Sequence, residues 1–355
     1  MIADEKSLLP LTADKKVAVI GFGSDNAVVH GGGSGSVVPS SVVSPLDGIN
    51  SVLTKAATYS SGTELSEAVG MAKSADVAIV FVATLSHEGG DRTSLSLDDG
   101  CLPDTRPGRG GVGHPCVGNN NKQNAMVSAI VKVNPNTIVV MSVPGAVLTP
   151  WADEVPAILT NFMPGQAAGD AVADILFGKV NPSARLPITF PNKENEQNFT
   201  PAQYPGLPDP EAPLYANYTE GLFVGYRYYD KHEIKPAFAF GHGLSYTTFT
   251  YSGLKVTGRS ITVEIANTGK AAGAEIPQLY LGYPEEADEP VKVLRGFSTI
   301  MLQPGGKNTV TFELGLTDTS IWDTAGGDWK AIKGEFKVSV GASSRDIRLT
   351  GTATF

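Results

Sequence analysis

Two different hydrophobic patterns divide the chain, and they limit its fold more than any other feature of the sequence. Up to about residue 190, short apolar runs alternate with stretches whose apolar residues recur at helical spacing. Val77–Ala83 is a typical buried strand and Gln123–Val133 a typical one-sided helix. Such alternation predicts a parallel or mostly parallel sheet with helices on both faces. We therefore expect an α/β sandwich domain over residues 16–191.

The rest of the chain changes character twice. Residues 192–235 begin with a proline-rich stretch that has few aliphatic side chains, which predicts an extended linker. From about residue 250 the pattern is β only, and short β-branched segments bounded by turns predict an antiparallel β-sandwich of about 100 residues, within residues 236–355. The predicted strands are 251–256, 260–267, 274–282, 292–300, 308–314 and 334–340.

Charge and hydropathy exclude some classes of partner. The formal net charge is −9 and the pI is near 5.1, which argues against nucleic acid, because phosphate neutralisation needs clustered Lys and Arg. No apolar stretch reaches the ~18 residues that a membrane span needs. Residues 1–6 do not resemble a secretory signal.

Other residues favour an extracellular protein. Cys101 and Cys116 flank a loop rich in Gly and Pro, and a disulfide closing a loop of about 15 residues would stabilise the fold by roughly 3 kcal/mol if the two cysteines pair. Asn198 and Asn217 each begin an Asn-x-Thr glycosylation signal. Together these features predict an oxidising, extracellular compartment, in which case Met1 is not the original N-terminus.

Glu88 is the candidate catalytic residue. It follows the strand-like run that ends at Ala83, and a carboxylate beyond the C-terminal end of a parallel strand lies where open α/β sheets bind ligands. The glycines Gly89 and Gly90 free the backbone there, so the carboxylate can be exposed as a general acid/base. A surface Glu on a polar loop is the alternative. The next pair, Asp91 and Arg92, is interpreted as an internal ion pair or loop anchor.

The glycine-rich segment 30–36 does not match a known phosphate loop. It lacks the Gly-Lys-Ser/Thr ending of a P-loop and the third glycine of a dinucleotide site. We interpret it either as a loop that approaches a ligand closely or as a flexible loop. The five histidines do not pair with Cys or carboxylates at ligand spacing, so we expect no metal site and no cofactor.

A series of motifs along the chain resembles one enzyme family. The series consists of Leu8-Leu9-Pro10-Leu11, Gly32-Gly33-Ser34-Gly35, Glu88-Gly89-Gly90-Asp91-Arg92, Pro164-Gly165-Gln166, Phe240-Gly241-His242-Gly243-Leu244-Ser245-Tyr246, Trp322-Asp323 and Ser343-Ser344-Arg345-Asp346. In order and spacing it resembles the two C-terminal domains of glycoside hydrolase family 3, the β-glucosidase and β-xylosidase group. The resemblance covers essentially all 355 residues.

The resemblance implies a function. Members of the family are typically retaining exo-glycosidases that remove a β-linked sugar from the non-reducing end, and Glu88 matches the position of their general acid/base. Gly33, Ser34, Asp91 and Arg92 would lie near the mouth of the active site. The nucleophilic Asp belongs to a barrel domain that we expect to be missing from this sequence, so the implied partners are a β-linked oligosaccharide and that barrel, in cis or in trans.

The resemblance also implies an architecture. Residues 1–15 correspond to the linker that leaves the barrel, and residues 236–355 to a fibronectin type III-like domain. A non-catalytic carbohydrate-binding or interaction module is the alternative function. The two differ in one expectation: a chain separated from its barrel should expose an apolar patch near Leu8, Leu9, Leu11 and the C-terminal ends of the strands, whereas a stand-alone module should have polar residues there. The apolar leucines of this segment favour the separated chain.

Overall fold

The computed structural model describes residues 1–4, 6–86, 88, 92–99, 122–208 and 215–355. The chain forms two compact units, Met1–Pro182 and Ser183–Phe355. The first unit is an α/β domain and the second is built mainly of antiparallel strands.

One sheet organises the described part of the first unit. Its strands are β1 (Ala3–Asp4), β2 (Val17–Gly21), β3 (Thr58–Ser60), β4 (Val77–Ala83), β5 (Thr137–Ser142) and β6 (Ala157–Thr160). They lie in the order β1-β6-β5-β4-β2-β3, and β2 to β6 are parallel while β1 pairs antiparallel with β6 at one edge. Every residue of β2, β4 and β5 is buried, as expected for strands covered on both faces. The predicted mostly parallel sheet is confirmed.

Helices cover both faces of this sheet. They are α1 (Pro45–Val52), α2 (Leu65–Lys73), α3 (Gln123–Val133) and α4 (Ala168–Leu176). Right-handed crossovers place α1 and α2 on opposite faces, because the chain moves one way from β2 to β3 and the other way from β3 to β4. Helix α1 packs against α4, and α2 packs against α3. The first pair is close, since a Cβ added at Gly48 would lie 2.2 Å from the carbonyl oxygen of Gly169.

The N-terminal segment belongs to this unit and does not expose the predicted apolar patch. Leu9 is 5% and Leu11 6% exposed, and the Leu11 N–H donates a hydrogen bond of 2.7 Å to the carbonyl oxygen of Leu176 at the end of α4. The expectation of an exposed patch at Leu8, Leu9 and Leu11 was wrong, because the chain packs back onto the domain after β1. This segment therefore does not discriminate between the enzyme and the stand-alone module.

Antiparallel strands dominate the described part of the second unit. After α5 (Tyr226–Lys231) come β7 (Phe249–Thr257), β8 (Ser260–Asn267), β9 (Gly273–Glu275), β10 (Gln278–Gly282), β11 (Val293–Phe297), β12 (Ile300–Leu302), β13 (Lys307–Glu313), β14 (Ser320–Asp323), β15 (Asp328–Ala331), β16 (Glu335–Gly341) and β17 (Ile347–Thr354). The main sheets are β13-β8-β7 and β11-β10-β16-β17, and a shared hydrophobic cluster joins them. The predicted β-sandwich is confirmed.

Aromatic side chains of the segment before β7 pack on one another within the second unit. The rings of Tyr226 and Phe240 are stacked with centroids 4.8 Å apart, and Tyr226 also meets Tyr280 edge to face. Phe238 makes an edge contact with Phe190 at 6.0 Å. Tyr226, Phe238 and Phe240 are half-buried, and their partners Phe190 and Tyr280 are fully buried, so these contacts are structural. In the part of the chain that the structure describes, no helix is long and apolar enough to cross a bilayer.

Candidate active site

The sheet has one topological switch point, and it lies between β2 and β4. These strands are parallel neighbours at the centre of the order, but the chain leaves β2 toward β3 on one side and leaves β4 toward β5 on the other. Connections that diverge in this way leave a crevice at the carboxyl ends of the strands, where ligands of open α/β folds bind. The candidate site is therefore the pair of segments that follow β2 and β4.

Strands β2 and β4 pack closely at the edge of this crevice. Gly21 ends β2 with φ +103°, and a Cβ there would lie 2.2 Å from the carbonyl oxygen of Phe81 on β4. Farther along, the Gly32 N–H donates to the carbonyl oxygen of Ser86 at 3.0 Å, and the Glu88 N–H donates to the carbonyl oxygen of Gly32 at 3.4 Å. These two bonds hold the glycine-rich segment against the segment that carries Glu88.

The side chain of Glu88 lies over a short 3-10 turn, Gly33–Gly35. Its Oε2 accepts a hydrogen bond of 2.6 Å from the backbone N–H of Ser34, and the residue is exposed. Gly33 has φ +84°, and a Cβ at this position would lie 2.2 Å from the Glu88 Cβ and 2.6 Å from its Oε2. Only glycine fits both the backbone angle and the space. The structure thus brings Gly33, Ser34 and Glu88 together.

A histidine stabilises the start of the same turn. The His30 Nδ1 lies 2.6 Å from the carbonyl oxygen of Gly31 and 3.3 Å from the Ser36 Oγ. Because a carbonyl oxygen only accepts, Nδ1 is the donor in the first of these contacts. Sequence reasoning gave His30 no role beyond its place in the glycine-rich segment.

Arg92 connects the segment after β4 to the segment after β5. Its Nη2 donates to the carbonyl oxygen of Ala146 at 2.9 Å, and the residue is half-buried. This contact agrees with the interpretation of Arg92 as a loop anchor. Its sequence neighbour Asp91 lies outside the described residues, so the predicted ion pair is not described.

Gln123 supports the site and was missed by sequence reasoning. This fully buried side chain at the start of α3 accepts from the Ala83 N–H at 2.8 Å and donates to the carbonyl oxygens of Ala83 at 2.9 Å and Leu97 at 3.1 Å. It therefore fixes the point at which β4 ends. A polar residue at the first turn of an amphipathic helix was the only available signal, and it is a weak one.

The remaining predicted residues fall in two groups. Cys101 and Cys116 lie outside the described residues, and their pairing stays a prediction. Asn198 and Asn217 are exposed in the second unit. Among the described residues, no group of three His, Cys, Asp or Glu side chains is arranged to hold a metal ion.

Comparison with known proteins places this geometry in a family. The model of the glycosyl hydrolase family 3 C-terminal domain matches residues 1–105 and 114–246, and the model of the fibronectin type III-like domain matches residues 275–344. Thermostable β-glucosidase B of Acetivibrio thermocellus is 36% identical over 98% of this chain, and probable β-glucosidase D of Aspergillus niger is 37% identical over 80%.

Solved structures have the same fold. The β-glucosidase DesR of Streptomyces venezuelae, solved with D-glucose, superposes on 99% of this chain with a TM-score of 0.89 and 29% identity. The family 3 β-glucosidase of Bifidobacterium adolescentis covers all of it with a TM-score of 0.85 and 32% identity. The chain covers 58% and 51% of these two structures, and 46% and 37% of the two relatives above. The chain belongs to glycosyl hydrolase family 3 and contains its C-terminal domain and its fibronectin type III-like domain.

Proposed function

We propose that these residues form the C-terminal part of a retaining, exo-acting β-glucosidase that removes β-linked sugars from non-reducing ends. The observation that carries the proposal is the position of Glu88 at the switch point, with an exposed carboxylate oriented by the Ser34 N–H. Retention requires a second carboxyl group about 5–5.5 Å away. We assign that nucleophile to an Asp of the family's barrel domain, supplied in cis or in trans.

Glu88 would act twice in the reaction. In the first step its protonated carboxyl gives the proton to the glycosidic oxygen, the bond between that oxygen and the anomeric carbon breaks, and the nucleophilic carboxylate bonds to the anomeric carbon, so that the leaving group departs as an alcohol or phenol. In the second step its carboxylate takes a proton from a water molecule as the water oxygen bonds to the anomeric carbon and the ester bond to the nucleophile breaks, which releases the sugar and restores the protonated acid. The Ser34 N–H fixes Oε2, and Gly33 provides the space in which the side chain lies. Gly33, Ser34, Asp91 and Arg92 would line or anchor the mouth of the site.

The leaving-group dependence of Glu88→Gln tests this role. For this test the chain replaces the matching segment of the Acetivibrio thermocellus relative, and the rest of that enzyme is kept. Aryl β-glucosides with poor leaving groups need the acid, so kcat/KM for phenyl β-glucoside should fall about 10²- to 10⁴-fold. The kcat/KM for dinitrophenyl β-glucoside, which has a good leaving group, should fall far less. Glu154→Gln, at an exposed glutamate before β6, is the matched control and should change neither rate.

Two outcomes would contradict the assignment. Equal losses for both glucosides would remove Glu88 as the acid/base. Full activity of Glu88→Gln on both would instead favour a non-catalytic carbohydrate-binding or interaction module.

We further propose that the complete protein works outside the cell. The exposure of Asn198 and Asn217 supports glycosylation at these positions. On secretion from a eukaryotic host, the protein should carry glycans at both positions, and Asn198→Gln and Asn217→Gln should each remove one glycan by mass spectrometry. An unmodified secreted chain would contradict this proposal.

A further inference from the structure

An exposed pair of tryptophans lies on the hairpin formed by β14 and β15. Trp322 and Trp329 are directly opposite each other in the register, with ring centroids 5.8 Å apart and ring planes at 82°. Their exposed fractions are 53% and 50%, whereas Trp151, the third tryptophan of the chain, is fully buried. Two large apolar side chains are thus adjacent and half-exposed to solvent.

Stabilisation of the hairpin accounts for only part of this arrangement. A cross-strand aromatic pair contributes up to about 1 kcal/mol to a hairpin. Among the described residues, however, the hydrophobic cluster that joins the main sheets includes none from the hairpin, and every residue of β15 is exposed. The exposed half of each indole ring therefore makes no packing contact in the structure. Exposure of this apolar area to water is unfavourable, so a ligand that covers it would gain binding free energy.

The charge distribution of the hairpin indicates a neutral ligand. Side chains alternate between the faces of a strand, so Trp322 and Trp329 share one face while the flanking Asp323, Asp328 and Lys330 project from the other. The turn between the strands has the small residues Thr-Ala-Gly-Gly, which leave the rings uncovered. Because the hairpin itself places no charged side chain on the face of the two rings, this face suits neither phosphate groups nor an anionic lipid surface.

The exposed area indicates a small ligand. An indole side chain has an area of about 150–250 Å², so two half-exposed rings offer roughly 200 Å². A stable protein partner needs about 800 Å² on each side. A sugar ring fits this area, because its C–H faces pack on aromatic rings while its hydroxyl groups stay in water.

We propose that Trp322 and Trp329 form a binding platform for a β-linked gluco-oligosaccharide chain. The choice of β-linked glucose rests on the function proposed above, whereas the carbohydrate chemistry rests on the uncharged aromatic face. The platform would hold a polymeric substrate by sugars that are not being cleaved.

Intrinsic fluorescence of the 355-residue chain tests the platform, because two of its three tryptophans form it. Titration with cellohexaose and with laminarihexaose should change the emission and protect it from acrylamide quenching. Trp322→Ala and Trp329→Ala should each weaken binding by about tenfold, which corresponds to ~1.4 kcal/mol. Trp329→Tyr should keep most of the affinity, since it retains an aromatic ring. Phe297→Ala, which removes another exposed ring, is the matched control and should bind like the wild type.

The outcomes separate this proposal from the catalytic one. Glu88→Gln should bind both oligosaccharides like the wild type, because Glu88 is not part of the platform. Binding that survives the double replacement of both tryptophans would overturn the proposal, as would the absence of binding to either oligosaccharide at millimolar concentration. If the alanine variants do not fold, as judged by circular dichroism, ligand protection of the wild-type tryptophans from acrylamide supports the platform, and no protection refutes it.

Discussion

The contact between Gly33 and Glu88 yields the most specific prediction of the structure. In Gly33→Ala the new Cβ would lie 2.2 Å from the Glu88 Cβ and 3.3 Å from its Cα. Both atoms lie close to the backbone, so rotation of the glutamate side chain cannot relieve the overlap. The segment that carries Glu88 must move away, and the 2.6 Å bond from the Ser34 N–H must break.

The magnitude follows from two separate effects. Alanine at a positive φ costs about 1–2 kcal/mol, and the exposed loop can relieve part of it, so we expect the free energy of unfolding to fall by about 1 kcal/mol. Activity should fall much more. A displacement of about 1 Å at a reacting group costs on the order of 10²-fold, so kcat/KM for poor leaving groups should fall by about that factor.

Gly35→Ala is the matched control in the same turn. A Cβ there would have no atom within 4 Å, and the variant should keep activity and stability. Urea unfolding of the 355-residue chain gives the stability change, kcat/KM of the assembled enzyme gives the activity change, and the amide resonance of Ser34 reports the lost hydrogen bond.

The reasoning is refuted if Gly33→Ala and Gly35→Ala have the same kcat/KM. It also fails if the Ser34 amide resonance of Gly33→Ala is unchanged, because the bond to Glu88 would then have survived.

Three further predictions concern stability, measured by urea unfolding. Gly48→Ala should destabilise the first unit by about 1–3 kcal/mol, because the new Cβ would overlap with the backbone of α4. Gly70→Ala in α2, where a Cβ would have no atom within 4 Å, should stabilise the unit by about 1 kcal/mol. Equal effects of the two variants would contradict the packing of α1 on α4. Glu275→Ala should cost about 3–5 kcal/mol, because it leaves the buried guanidinium of Arg185 without the carboxylate 2.8 Å away, and a cost below 1 kcal/mol would contradict this. Burial raises the pKa of Glu196, but hydrogen bonds from a tyrosine hydroxyl and an asparagine outweigh it and hold the pKa below its ordinary value of 4.5. Glu196→Gln should therefore lower the free energy of unfolding by its full amount above pH 4.5, and this difference from the wild type should vanish as the pH falls through the lower folded-state pKa. A difference that does not depend on pH would refute the lowered pKa of Glu196.

Buried central elements of the first unit could be predicted from the sequence. Val77–Ala83 and Gln123–Val133 have the same bounds in the structure as in the prediction, because a continuous apolar run and a one-sided helix are unambiguous patterns. Short peripheral elements were missed. Helix α1 has a Ser44 cap and a proline at its first position, but Gly48 interrupts its apolar pattern.

The β-sandwich was predicted in class but not in detail. The predicted strand 274–282 is divided into β9 and β10, which belong to different sheets. Pro277 lies at the break, where its missing N–H cannot support a continuous ladder. The hairpin of β14 and β15 was missed because its stability depends on a cross-strand pair that no single segment reveals. Strand β17 was missed too, since most of its residues are exposed or only partly buried.

The candidate site was predictable only where it depends on side-chain type. Glu88 could be identified as a carboxylate after a buried strand. The bond that orients it could not, because its donor is the backbone N–H of Ser34, which any residue except proline offers. The need for glycine at Gly33 is likewise a tertiary property, set by the carboxylate that lies over it.

The separation of the two carboxyl groups tests the central claim most directly. A crystal structure of the assembled enzyme, with the barrel domain present and a glucose-derived inhibitor bound, would give the distance between the Glu88 carboxyl and the catalytic Asp. Our account predicts about 5–5.5 Å, with Glu88 facing the glycosidic oxygen. A separation of about 6.5–9.5 Å would indicate an inverting enzyme, and a Glu88 directed away from the sugar would contradict its role as the acid/base.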